Sequence, residues 1–369
     1  MRVLHVFFSS VIKPQHKFLG TTKDIRGRTQ YFEQRGIEYQ ELILKVREEK
    51  YFLEGLKRVD LSSFDAVLTE GTYFPRSVGV IKSANPRIMV LMRGINAEIF
   101  HWLHSAEAAL RFDTWKRVLF DLKGTLDFGS KDILCARRAD YILSIAEWES
   151  LNYWPRLEPR ARVVTLPYFL PDTYLGDIPK ERKKSDRCVC MMTTKANRPF
   201  LVDAARNFYN LVNGLGTAEP RWTFAITGDF HAGKLPRCPR VEVKGFLQNP
   251  LELLSESRAV ALLSDYGFGF KTKLLEAICC GCRVLVTERL HERLPAPVQR
   301  WSIVVDPASS ASFCEALERC ASEPLPPRDP NGELRREAFE ALDRVLGAPA
   351  ARTGASRPAA RLQPIVSTS

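Results

Sequence analysis

Apolar residues come in short runs separated by longer segments of helical periodicity. Residues 3–9 (VLHVFFS) form such a run, and a helical pattern follows over residues 22–35, ending near Gly36. Further runs stand at residues 39–44, 64–69 (FDAVLT), 87–92, 141–144 and 162–166, with a long helical region over residues 101–139. Short apolar runs bounded by turn signals read as strands buried on both faces, the pattern of a parallel sheet. Strands alternating with helices predict βαβ units. The alternation breaks over residues 173–187, where LGDIPKERKKSDR is charged, poor in apolar residues and punctuated by Gly and Pro. It restarts with strands at residues 188–192, 222–226, 241–244, 259–263, 284–287 and 303–306, and with helices at residues 199–212, 250–257, 273–280 and 309–320.

This pattern predicts an α/β chain with a first Rossmann-like domain over residues 1–172, a linker over 173–187 and a second Rossmann-like domain over 188–326. A helix is expected within residues 327–346. The segment 347–369 is rich in Ala, Pro, Ser and Arg and has no acidic residue, so a disordered basic tail is expected there.

Composition narrows the setting. A length of 369 residues suits two domains. No apolar run approaches the roughly 18 residues of a membrane span, and the run from Val3 to Val11 ends in Lys13 and Pro14, too short for an export signal. A cytoplasmic location is therefore expected. The odd total of nine cysteines agrees with a reduced compartment. Cys279, Cys280 and Cys282 read as small buried hydrophobes rather than metal ligands. The formal charge of +11 fits nucleic acid, an anionic membrane or a phosphorylated substrate. No nucleic-acid motif is present, so no nucleic-acid partner is expected. An anionic membrane surface remains, with Arg352, Arg357 and Arg361 of the tail as candidate contacts.

The stretch SDYGFGFKTKLLEAICCGCRVLVT, Ser264 to Thr287, carries the chemistry. It reads as a strand end, a glycine loop, a helix, a glycine turn and a strand. Gly267 and Gly269 let the backbone approach a ligand closely. Lys271 and Lys273 stand at the start of the helix, where free N–H groups and positive charge favour phosphate. Glu276 sits one turn in, placed to accept hydrogen bonds from ribose hydroxyls. A generic α/β turn with solvated lysines also fits these residues taken one by one.

The combination, Gly-x-Gly-x-Lys-x-Lys-x-Leu-Glu-Ala with Gly281 and the next strand, resembles the donor-binding segment of GT-B glycosyltransferases of family 4, the glycosyl transferases group 1. Residues 224–228, ending in Gly228, and residues 243–250 (VKGFLQNP) resemble the family's preceding strands. The resemblance implies two Rossmann-like domains facing across a cleft. It implies retaining transfer of a hexosyl or related sugar from a nucleotide sugar to a glycan or lipid-linked acceptor, with no cofactor and no obligatory metal. It places Gly267, Phe268, Gly269, Lys273, Leu275, Glu276, Gly228 and Gly20 around the donor nucleotide. Lys271, Lys195 and Arg198 become the cations that meet the departing diphosphate, with Lys271 nearer the loop and Lys273 covering the helix surface. Arg93, Asn96 and Glu70 fall on the acceptor side. Many members carry a second Glu eight positions before the ribose Glu; here that position is Phe268, and Ile95 stands where some members have a His. A nucleotide-sugar epimerase of similar fold and a non-catalytic scaffold are the alternatives. A dinucleotide-binding dehydrogenase is disfavoured, because no Gly-x-Gly-x-x-Gly follows the first strand.

Overall fold

A computed structural model describes residues 1–9, 17–46, 48–112, 115–179, 183–190, 199–228, 238–327, 331–347 and 360–366. The chain begins with β1 (Arg2–Phe8), α1 (Gly20–Arg35), β2 (Glu38–Leu44), α2 (Glu49–Leu56), β3 (Ala66–Glu70), α3 (Pro75–Ala84) and β4 (Met89–Gly94). Two long helices, α4 (Glu98–Phe112) and α5 (Trp115–Arg138), lead to β5 (Tyr141–Ser144), α6 (Glu147–Asn152), α7 (Trp154–Leu157) and β6 (Val163–Thr165). Next come α8 (Asp172–Leu175), β7 (Ser185–Cys190), α9 (Pro199–Gly214), β8 (Thr223–Thr227), β9 (Val241–Gly245), α10 (Leu251–Glu256) and β10 (Ser257–Leu262). The last elements are α11 (Thr272–Cys279), β11 (Arg283–Val286), α12 (Glu288–His291), α13 (Ala296–Gln299), β12 (Ser302–Val304), α14 (Ser310–Ser322), α15 (Asn331–Leu346) and β13 (Ile365–Val366).

The strands form two parallel sheets. The first has seven strands in the order β13-β2-β1-β3-β4-β5-β6, and the second six in the order β12-β11-β10-β7-β8-β9. Strands inside the sheets are buried along nearly their whole length, as in β1 (RVLHVFF) and β11 (RVLV), because helices cover both faces. The chain divides into two compact units. One holds Met1–Ile99, Gly124–Pro171 and Leu334–Ser369; the other holds Phe100–Lys123 and Asp172–Glu333. Each unit thus takes in segments that lie in the other half of the sequence.

Two expectations are corrected. The linker expected over 173–187 is in part regular structure, since α8 reaches Leu175 and β7 starts at Ser185. The disordered tail is corrected at residues 360–366: Arg361 bridges to Tyr39, and Ile365 and Val366 pair in parallel with Leu42 and Ile43. Without it, β2 would be the edge strand of the first sheet, and its unpaired backbone groups take the added strand. Arg361 Nη2 also donates to the buried Glu41 carboxylate at 2.6 Å. Further back, Asp343 of α15 accepts from Arg35 Nε at 2.8 Å, Arg35 Nη2 at 2.7 Å and the Tyr31 hydroxyl at 2.9 Å, which ties α15 to α1.

The first unit buries a charged network under α1. Arg93 on β4 is fully buried and grips Asp24 with Nε at 3.0 Å and Nη2 at 2.9 Å, while Nη1 donates to the Leu166 carbonyl at 2.6 Å. Arg28, one turn after Asp24, bonds Asp24 with Nη1 at 2.9 Å and holds both oxygens of Glu70. His5 Nε2 lies 2.6 Å from Glu70 Oε1. Burial alone would raise the Asp24 carboxyl, yet Arg28 and Arg93 hold it well below the usual carboxylate range. Glu70 is likewise lowered: burial opposes the shift, and Arg28 and His5 bring it about. Arg93 and Glu70, expected on the acceptor side, are both buried, Arg93 bonded to Asp24 and Glu70 to Arg28 and His5. Removing one member of a buried ion network leaves a charge without compensation. Arg93→Met, which keeps the volume, is expected to destabilise the protein by about 3–5 kcal/mol in denaturant unfolding, whereas a surface arginine would cost under about 1 kcal/mol.

Candidate functional site

In the second sheet β7 lies between β10 and β8. The chain winds one way from β7 to β8 and β9, and the other way from β10 to β11 and β12. At such a reversal the connections leave the strand ends in opposite directions, and the crevice between them is where open α/β sheets bind ligands. The glycine loop that follows β10 therefore stands at the switch point. The segment leaving β7 contains Lys195 and Arg198, which lie outside the described residues.

The loop is fixed by its own backbone and by side chains of the same unit. Gly267 and Gly269 have φ of 85° and 81°, a region where L side chains are strained. Ser264 Oγ donates to Asp203 at 2.8 Å and accepts from the Tyr266 N–H at 3.2 Å. Asn207, one turn further along α9, donates to the Leu263 carbonyl at 2.8 Å. The Phe268 ring packs against His104 with centroids 4.7 Å apart, and the Arg293 guanidinium lies 4.7 Å over the same ring. Arg293 also donates to the Asp265 carbonyl at 2.9 Å. Phe268, expected at the nucleotide, thus has its side chain turned into an aromatic and cationic cluster that anchors the loop.

Lys271 is the N-cap residue of α11, with φ of −84° and ψ of 75°. No side chain caps this helix and its first turn has no acidic residue, so no carboxylate there offsets the positive end of its dipole, while the Thr272 and Leu274 N–H groups donate to the Phe270 and Lys271 carbonyls at 3.0 and 2.8 Å. Lys271 Nζ donates to the Phe268 carbonyl at 3.0 Å. Its charge acts on the α4 side, where burial lowers the His104 imidazole and Arg293 and Lys271 lower it further. Lys273 acts in another direction. Burial pushes the Cys190 thiol up to about 12 against the pull of Lys273, which puts that lysine's field on the last residue of β7. Residues two apart on a helix point about 200° apart. The two lysines are thus set apart, with Lys271 closing the glycine loop through the Phe268 carbonyl.

From Leu274 to Cys279 the whole of α11 is buried. Leu275, expected among the nucleotide contacts, has its side chain fully buried. Glu276 lies in the same run, an acidic residue at 2% exposure, and its Oε2 accepts from the Tyr174 hydroxyl at 2.9 Å. Tyr174 comes from α8, inside the expected linker; an isolated tyrosine in a charged segment was its one sequence signal. Asp203, His104 and Arg293 also went unread, since each supports the loop from a distant element.

The remaining expected residues are more dispersed. Gly228 follows β8 with φ of 103° and donates its N–H to the Gly245 carbonyl at 2.7 Å. Gly20 opens α1 at a part-exposed position after β1, and no side chain caps that helix. Asn96 is part-exposed and donates to Glu98 at 3.2 Å. Cys279, Cys280 and Cys282 are buried, and Cys282 Sγ donates to the Leu254 carbonyl at 3.0 Å.

Residues 189–323 match the family model described as Glycosyl transferases group 1. The second unit carries a group 1 glycosyl transferase domain. The fold of the chain is GT-B, as in solved structures of low sequence identity. A lipopolysaccharide outer core galactosyltransferase, WaaB, is 13% identical with a TM-score of 0.58, over 94% of this chain and 99% of that one. Sucrose-phosphate synthase from Thermosynechococcus elongatus is 12% identical with a TM-score of 0.55, over 93% and 94%. HepE from Anabaena, in complex with UDP, is 13% identical with a TM-score of 0.52, over 93% and 95%. No curated protein matches the chain.

Within this glycosyl transferase domain the two lysines separate by experiment. Lys273→Ala is expected to lower kcat about a hundredfold with donor saturating, the effect of losing one preorganised electrostatic contact. Lys271→Ala, which loosens the loop, is expected to raise the donor KM and to lower kcat far less. Steady-state kinetics on both variants reads the difference.

Proposed function

We propose that the chain transfers a sugar from a nucleotide-sugar donor to a glycan or lipid-linked acceptor. The observation that carries the reading is the meeting of the glycine loop, the uncapped start of α11 and the buried Glu276 carboxylate at the switch point of the second sheet. The loop lets the diphosphate approach the backbone, the first turn of α11 and Lys273 receive its charge, and Glu276 takes the ribose hydroxyls while Tyr174 holds its second oxygen. Charge grows on the diphosphate as the sugar leaves, so cations fixed beforehand at that point favour departure. Lys195 and Arg198 are assigned to the same task from the segment after β7. Retention of configuration and independence from a metal follow from the group 1 resemblance. The UDP bound to HepE supports a nucleoside diphosphate as the leaving group. The likeness to WaaB, a lipopolysaccharide outer core galactosyltransferase, supports a glycan acceptor in surface-polysaccharide assembly. The acceptor is assigned to the first unit, with Asn96 as the part-exposed residue available there, and the place of work to the cytoplasmic face of the membrane.

Glu276→Ala is expected to weaken nucleoside diphosphate binding by about 1.5–3 kcal/mol, the range for hydrogen bonds to a charged group. Tyr174→Phe is expected to cost a smaller part of that. Calorimetric titration of the folded variants checks both. Release of nucleoside diphosphate from a panel of nucleotide sugars, with and without chelator, tests the reaction itself. Binding with no release under any donor and acceptor would favour the scaffold reading.

A further inference from the structure

We propose that the outward face of α5 docks the protein on an anionic lipid bilayer. A helix at the surface of a globular protein buries one apolar stripe and turns polar residues outward. α5 buries Val118, Cys135 and Ala136 in this way. It also carries a second apolar stripe that is not covered. Trp115, Leu119 and Leu122 recur at spacings of four and three, which places them on one face of the helix. Trp115 is 73% exposed, Leu119 65% and Leu122 42%. Single exposed hydrophobics need no explanation, but a continuous stripe of leucines headed by a tryptophan marks an interaction surface.

Charge selects the occupant. Lys116 and Lys123 border the stripe one position along the helix, both exposed, and no carboxylate among the described residues pairs with them. Apolar side chains flanked on one side by lysines, with tryptophan at one end and the nearby Asp127 neutralised by Lys131, are the composition of a helix that lies in the membrane interface. A second copy of the chain would bring the same lysines and a formal charge of +11 against themselves. An anionic bilayer accepts the leucines into its acyl boundary and the lysines among its headgroups. The tail arginines expected to make this contact include Arg361, which is committed to Glu41. The surface rests on the membrane placement in the proposed function and gives it a location. Its test reads lipid binding without turnover, so its failure leaves sugar transfer untouched.

The experiment is flotation of the full chain with vesicles of phosphatidylglycerol and phosphatidylcholine, and with vesicles of phosphatidylcholine alone. The protein is expected to float with the anionic vesicles at low salt and to be released at high salt. A Leu119→Ser/Leu122→Ser variant and a Lys116→Glu/Lys123→Glu variant are each expected to lose about tenfold or more of the bound fraction. The replaced side chains are exposed, so the unfolding temperature is expected to stay unchanged, and it is measured alongside. Absence of wild-type binding to anionic vesicles overturns the proposal, as does a leucine variant that floats like the wild type. A wild-type dimer in sedimentation that the leucine variant converts to monomer, with vesicle binding unaltered, overturns it in favour of self-association.

Discussion

A parallel sheet whose first strand lies inside the sheet forces the chain to wind in two directions from that strand. The connections part at its C-terminal end, and a crevice opens there whatever the side chains are. Both sheets are built this way: β1 lies between β2 and β3, and β7 lies between β10 and β8. The chemistry of each unit follows from what the sequence places at that opening.

The two openings are furnished differently. In the first unit, Glu70 at the end of β3 is held by Arg28 and His5, and Arg93 on the neighbouring strand is held by Asp24. Charges so deeply buried are tolerable only when they satisfy one another, so the network specifies how α1 lies over the strands. In the second unit the opening receives a loop whose glycines keep the backbone bare and whose Tyr266 and Phe268 rings pack against His104. The Phe268 ring packs against His104 and under the Arg293 guanidinium, so the position helps hold the loop.

Much of the architecture was legible because buried parallel strands are short apolar runs and their crossover helices are periodic. The place of Glu276 on the helix after the glycine loop was legible because that distance is set by the first turns of a helix. Other features followed physics that a linear pattern does not carry. Arg93 looks like a surface residue until its partner Asp24 arrives from another element. Tyr174 reaches Glu276 from a segment whose charge suggested a linker. Leu275 is apolar and was expected at a ligand, but the burial of α11 on nearly all sides places it in the core. The tail lacks the composition to fold alone and is ordered at residues 360–366 by an available sheet edge. The exposed stripe of α5 is hidden for a simpler reason: periodicity reveals an apolar face and does not say whether protein covers it.

The central claim is that the loop after β10 and the start of α11 receive a nucleoside diphosphate. Hydrogen–deuterium exchange in the presence and absence of UDP tests it most directly. The account predicts that UDP slows exchange in the backbone from Ser264 to Glu276, with the largest protection at Gly269 to Lys273. Saturating UDP that leaves this segment unchanged while protecting other parts of the chain would contradict it.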